Sequence, residues 1–336
     1  SKEAALALSA RYFEARCLEN LERKDEALSL YQQIAEVKNP NPYRDDARLA
    51  AGAIALTRGR KLDALKNYEA LSNETDKGVL KAEAAVRAGM VAVDLQQSEK
   101  NKPDKTMAEK ALSLLQKGRS IPEAGRWRAI AEVGLLRLQY QSAQYEKVLT
   151  EYKRSQEQIP QEVRAEMMLI VGNSHRQLGH AKEADEVYGQ IIAKFPGREE
   201  AKDAQYQRLI NHYNNNSPNL LVEIDEYLRS NPTPERADQA KLLKAEHFYK
   251  EQKFAEAAPV YAELRDSQLT PKLQAEAAYK LGWCYVQLKD GMQVIEAFGY
   301  FIRAFPDNPQ LPTALTQRAL AYQESKNYNA ALDDLN

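Results

Sequence analysis

An all-α solenoid of tandem helix–turn–helix repeats is the fold class that this 336-residue sequence predicts, and three recurring features predict it. The first is a pair of residues four apart, a small or β-branched one followed by an aromatic or aliphatic one. The second is a column of glycine or alanine at a single repeat phase. The third is a proline at a near-constant distance after each pair, where a helix has to stop.

The pairs are Ala27/Tyr31, Ala64/Tyr68, Ala108/Leu112, Val148/Tyr152, Ala184/Tyr188, Leu220/Ile224, Ala257/Tyr261, Val294/Phe298 and Ala331/Leu335. Their first members are spaced 37, 44, 40, 36, 36, 37, 37 and 37 residues apart. A separation of four puts both side chains on one helical face, one above the other. The small member lets a neighbouring helix approach and the large one fills the space beside it. These pairs mark the second helix, B, of each repeat.

The first helix, A, carries the small column: Ala15, Gly52, Gly89, Gly172, Ala245, Gly282 and Ala319. Glycine inside a helix costs roughly 1 kcal/mol relative to alanine, so its return at one phase points to a packing need where A crosses B. Pro160, Pro196, Pro232 and Pro306 each follow the first member of their pair by twelve residues and end helix B. Pro40, Pro122 and Pro271 do so one or two residues later. Two positions break the column, Leu136 and Arg208, and predict less regular packing in the fourth and sixth repeats. Ser98–Lys105 reads as a long polar A–B turn that explains the 44-residue step, and Asn214–Pro218 as another solvated turn.

The units run at about 8–43, 44–80, 81–125, 126–163, 164–200, 201–236, 237–273, 274–310 and 311–336, a single array of eight full repeats and a ninth broken off. An array needs a polar cap over its apolar stacking face, and none is visible after Leu335, so the chain reads as a segment of a longer protein.

Lys and Arg number 47 against 48 Asp and Glu, which leaves a net charge of -1. Such a balance offers no long-range attraction to nucleic acid or to an anionic membrane. No run approaches the roughly 18 apolar residues of a membrane-spanning helix. Nucleic acid and direct membrane insertion are therefore not expected, and nothing in the sequence sets the oligomeric state.

The stretch Ala278–Pro309 resembles the tetratricopeptide repeat: Leu281-Gly282, Tyr285 three residues on, Val294 and Phe298 four apart, then Pro306. The resemblance implies a right-handed superhelix whose A helices line the concave face, with protein or peptide ligands along it. Some members of that family clamp a peptide's terminal carboxylate with lysine, asparagine and arginine from three adjacent repeats. The matching positions here are Leu169 and Asn173, Tyr206, and Gln239 and Leu243, and only Asn173 fits, so this clamp is absent. Repeats ending in Phe195-Pro196 and Phe305-Pro306 also resemble those of bacterial outer-membrane assembly lipoproteins and Tol-Pal partners. That likeness implies a periplasmic or envelope setting in preference to the cytoplasm.

By phase, Tyr206, Tyr213, Tyr249, Tyr279 and Trp283 line the inner face as candidate protein-binding residues, with Arg176 and Lys250 nearby. Tyrosine and tryptophan combine large contact area with a polar handle. The competing reading is that they pack between adjacent A helices. Toward the N-terminus the same face carries only Leu49, Ala53, Val86 and Met90.

No phosphate-binding loop, dinucleotide fingerprint, nucleophile elbow or zinc-protease motif occurs, and His175, His180, His212 and His247 lack metal-ligand spacing. No catalytic residue, cofactor or metal is expected. Cys17 and Cys284 share one repeat phase, seven repeats apart, and both read as buried thiols. Asn73-Glu74-Thr75 and Asn215-Asn216-Ser217 read as chance matches to glycosylation sequons. The sequence thus predicts a non-catalytic protein- or peptide-binding scaffold. Two alternatives stand beside it: a glycan-binding module, or the regulatory repeat segment of a larger enzyme or sensor.

Overall fold

The computed structural model describes residues 2–38, 40–96, 105–156, 159–230, 232–265 and 267–336. Among them are eighteen α-helices and no strand. They follow as A and B in turn: α1 (Lys2–Asn20) and α2 (Lys24–Glu36), α3 (Arg44–Thr57) and α4 (Lys61–Glu74), α5 (Gly78–Gln96) and α6 (Lys105–Ser120). Next come α7 (Arg126–Gln141) and α8 (Tyr145–Ser155), α9 (Gln161–Gln177) and α10 (Ala181–Lys194), α11 (Glu199–Asn214) and α12 (Leu220–Arg229). The last are α13 (Pro234–Lys250) and α14 (Phe254–Glu263), α15 (Pro271–Gln287) and α16 (Gly291–Ala304), α17 (Leu311–Glu324) and α18 (Tyr328–Leu335). No described helix is long and apolar enough to cross a membrane. The chain forms two compact units, residues 1–179 and 180–336.

The small column is occupied by the facing B helix. A Cβ placed on Gly52 would lie 2.5 Å from the Tyr68 ring, one on Gly89 2.6 Å from Leu115, and one on Gly282 2.6 Å from the Phe298 ring. Real Cβ atoms do not approach so closely, so these crossings exist only because the side chain is missing. Tyr31, Tyr68, Tyr188, Tyr261 and Phe298 are the largest fully buried side chains.

Leu115 corrects the register of the third repeat. Ala108 is half-buried and Leu112 exposed, whereas Ala111 and Leu115 are fully buried. The packed pair is thus Ala111/Leu115, and the step of 37 residues to Val148 matches the rest of the array. The stretch Ala108-Leu112 to Ala111-Leu115 contains two overlapping four-residue pairs, and spacing alone does not choose between them. The expected long turn at Ser98–Lys105 lies outside the described residues except for Lys105, which opens α6.

Leu136 and Arg208 have the effect their bulk implies. Of the A–B pairs that lie within one unit, α7 with α8 and α11 with α12 are the most loosely apposed. In the fourth repeat the glycine lies two residues earlier: a Cβ on Gly134 would lie 2.8 Å from Leu115 and 2.8 Å from the Met90 sulfur.

The turns within the repeats share a backbone device. Glu22, Gly59, Ala143, Gly179, Asn216, Gln252, Lys289 and Lys326 all have φ between 51° and 76°. The turns around them are closed by two backbone bonds in the Schellman pattern, as where Lys289 N–H donates to Val286 and Asp290 N–H to Tyr285. Six of these residues are not glycine and carry the left-handed penalty of about 1–2 kcal/mol.

The two cysteines differ. Cys284 is buried, and burial followed by the nearby Glu246 carboxylate pushes its thiol up to about 12. Cys17 is exposed, contrary to its expected burial. Cys284 packs in a cluster with Ala258, Tyr261 and Leu264 from the preceding helix pair, and α1 has no preceding pair among the described helices.

Gly282→Ala should lower stability by about 1–3 kcal/mol through overpacking against Phe298. Gly189→Ala, in helix α10 with open space around its Cβ position, should raise it by about 0.4–1 kcal/mol. Urea titration of both variants checks the pair; equal effects would refute the assignment of the crossings. Ala143→Gly should stabilise by about 1 kcal/mol by removing left-handed strain, read by the same titration.

Candidate functional site

All five sequence-predicted site residues lie in the unit 180–336, and all five are half-buried. Each is positioned by an A helix, and each leans on a hydrophobic cluster of its own neighbourhood. Tyr206 and Tyr213, seven apart on α11, pack on the cluster of Leu209, Leu220, Ile224, Tyr227 and Ala240. The Tyr206 ring lies 6.3 Å from that of Tyr227, and burial pushes its hydroxyl up to about 12. Tyr249, at the end of α13, sets its ring edge-to-face with Phe254 at 5.5 Å and with Tyr261 at 6.2 Å. Tyr279 and Trp283 on α15 meet each other at 6.2 Å, and meet the Phe298 ring at 5.9 and 6.4 Å.

The structure adds three charged residues that the sequence reading did not single out, Lys280, Glu246 and Glu276, and gives Lys250 its partners. Lys280 donates to Glu246 Oε2 at 2.5 Å and pairs with Glu276 at 3.1 Å. Its ammonium lies 5.6 Å from the centre of the Tyr249 ring, a cation–π contact. Burial alone would lower the ammonium's pKa, but Glu246 and then Glu276 outweigh it and hold it above the ordinary lysine value. Glu246 also accepts from the Tyr261 hydroxyl at 2.7 Å. Lys250 sits 5.9 Å over the Tyr213 ring and donates to Asn216 at 2.7 Å. Burial, then the Glu246 carboxylate, raises the Tyr213 hydroxyl, which places Tyr213 within electrostatic reach of the same glutamate. Tyr213, Tyr249 and the Lys280 ion pairs therefore form one connected face, and Tyr279 and Trp283 continue it along α15. Tyr206 does not join it; its ring partner is Tyr227 on helix B.

The only sequence mark of the ion pairs is Glu276 four residues before Lys280, a spacing common on any helix. The Glu246–Lys280 link spans 34 residues and two repeats, and no local pattern announces it. Among the described residues no group of three or more histidine, cysteine, aspartate or glutamate side chains is placed to hold a metal ion. Thr75 of the first sequon is 3% exposed, and its hydroxyl donates to Asp45.

A second polar cluster ties α10, α11 and α12 together. Arg208 donates to Asp185 from Nε at 2.6 Å and from Nη2 at 3.4 Å. His212 contacts Asp185 through Nε2 at 2.7 Å and Glu223 through Nδ1. Burial acts to raise the Asp185 carboxyl, but the Arg208 hydrogen bond and charge, then His212, leave it below its ordinary value.

A tetratricopeptide repeat family profile matches residues 166–198 and 276–308. Those two segments are similar to tetratricopeptide repeats. The matched segments are the fifth and eighth helix pairs, the latter holding Gly282 and Phe298. Similar solved structures include a tetratricopeptide repeat protein from Parabacteroides merdae, 10% identical with a TM-score of 0.41, covering 86% of this chain and 90% of that one. A human IFIT1 dimer with PPP-AAAA is 16% identical with a TM-score of 0.49, covering 99% of this chain and 83% of that one. No curated protein matches this chain in sequence. Repeats of this family build interaction surfaces in which each unit contacts chiefly its neighbours.

Lys280→Met should cost roughly 1.5–3 kcal/mol by leaving Glu246 without its cation. The double variant Lys280→Met/Glu246→Gln should cost less than the two single changes summed, as a double-mutant cycle would show. Asp185 has a depressed folded pKa, so its stabilising contribution is present above the unfolded value and is lost as pH falls through the folded one. Thermal melts of the wild type should fall in this acid range, and Asp185→Asn should flatten that part of the profile.

Proposed function

We propose that this protein is a non-catalytic scaffold that binds a protein or peptide along the helix-A face of residues 180–336, the face that is concave in tetratricopeptide repeats. The observation that carries the proposal is the run of half-buried aromatics on three successive A helices, Tyr213, Tyr249, Tyr279 and Trp283, interleaved with Lys250 and Lys280. Partly buried aromatic side chains held rigid by their neighbours present contact area at low entropic cost, as interaction hot spots do.

Two features favour a polypeptide over a sugar. Lysine ammoniums already cover the faces of Tyr213 and Tyr249, the surfaces on which a sugar ring would stack. Tyr279 and Trp283 stand edge-to-face, which gives ridges and slots suited to side chains. We assign the protein to bacterial envelope assembly or secretion on the strength of its Phe195-Pro196 and Phe305-Pro306 repeat ends.

The test is affinity capture from the source cells with wild type, with exposed-site variant Lys250→Glu, and with Lys250→Glu/Trp283→Ala, read by quantitative mass spectrometry. A set of polypeptides held by the wild type should fall at least tenfold with the double variant, whose far-ultraviolet circular dichroism stays native. Equal capture by all three folded proteins would remove the surface from this face.

A further inference from the structure

The sixth repeat, like the fourth, breaks the rule that shapes the others, and here the break leaves a space. Where the column elsewhere has glycine or alanine, Arg208 cannot pass beneath a B-helix side chain. It turns instead to Asp185 on α10, and α12 stays loosely apposed to α11. A cleft of about 200 Å³ results, walled by Ile192 of α10, by Gln205, Arg208 and Leu209 of α11, and by Glu226 and Tyr227 of α12. That is several times the roughly 30 Å³ a water molecule takes up in the liquid.

The charges around it are unevenly matched. Arg208 is bound to Asp185, and His212 lies between Asp185 and Glu223. Glu223 also lines the cleft. Glu226, at its exposed edge, has no ion pair among the described residues. Three carboxylates therefore face one arginine and one histidine, and they outnumber the cations whichever state His212 adopts. Tyr227 is 6% exposed and contributes wall to the cleft. Burial pushes the Tyr227 hydroxyl up to about 12, so it brings no charge to the cleft. Ile192 and Leu209 supply apolar wall.

From this arrangement we infer that the cleft between α10, α11 and α12 binds an ammonium or guanidinium carried on a short aliphatic stem, with Glu226 as its counter-ion. The stem lies against Ile192 and Leu209. Anions are disfavoured, because the one arginine of the cleft is already neutralised by Asp185. The site is independent of the aromatic face, which lies on other residues.

Titration calorimetry of the intact chain tests it with agmatine, with the blocked tripeptide acetyl-Gly-Arg-Gly-amide, and with its citrulline counterpart, which keeps the shape and loses the charge. A guanidinium probe should bind at least tenfold tighter than the citrulline peptide, and Glu226→Gln should weaken it at least fivefold while the melting curve stays unchanged. Tighter binding of agmatine would identify a free amine as the ligand, and tighter binding of the peptide a side chain of a polypeptide. If neither guanidinium probe outbinds the citrulline peptide, or if Glu226→Gln binds as the wild type does, the inference is overturned.

Discussion

Everything regular in this molecule depends on an aromatic or aliphatic side chain of one helix lying flat against a glycine or alanine of the next. At Gly52, Gly89 and Gly282 the fit leaves no room for a single carbon. Such a contact brings the two helix backbones close, removes a large side chain from water and costs the entropy of a glycine in mid-helix. With about 25 cal/mol per Å² for buried apolar surface, one buried tyrosine or phenylalanine more than offsets the roughly 1 kcal/mol glycine cost. The exchange recurs in every repeat that keeps the small column, and it sets both the pitch of those units and the phase at which charged and aromatic residues return to the same face.

Because the phase repeats, side chains from successive A helices accumulate on one surface. In the unit 180–336 that surface carries aromatic rings whose inner edges are held by the core and whose outer sides meet lysines. The Glu246–Lys280–Glu276 set joins neighbouring repeats across this surface. Its charges lie among rings, where the effective dielectric is below that of water, so they contribute to rigidity. A rigid face loses less freedom when a partner arrives.

Much of the fold was legible because its signal is local and repeated: Ala64/Tyr68 or Val294/Phe298 states a face, and Gly52 or Gly282 states what the face meets. The third repeat shows the limit of such a signal. With Ala108, Ala111, Leu112 and Leu115 all available, four-residue spacing fits two registers, and only the facing Gly89 selects between them. The left-handed turn residues were invisible for a different reason. Glu22, Ala143, Gln252 and Lys289 share a backbone angle and no chemistry, since the two Schellman bonds impose the conformation on whatever residue stands there. Cys17 and Cys284 share a phase yet differ in exposure, because burial belongs to the neighbouring repeat and not to the residue. Of the candidate site, the aromatic positions could be named from phase. Lys250 could be named beside them, but that it covers Tyr213, and that Lys280 covers Tyr249, depends on a neighbouring helix pair, beyond the reach of any pattern within one repeat.

Leu115 has one more property worth following. Its side chain fills the space left by two glycines at once, Gly89 on α5 and Gly134 on α7. A repeat array behaves as a row of units whose cooperativity is set by nearest-neighbour coupling. Most couplings in such a row are spread over many small contacts, but here a single residue is common to the internal packing of one repeat and the junction with the next. Opening of either the third or the fourth repeat therefore strips packing from the other, and the two are coupled through one side chain.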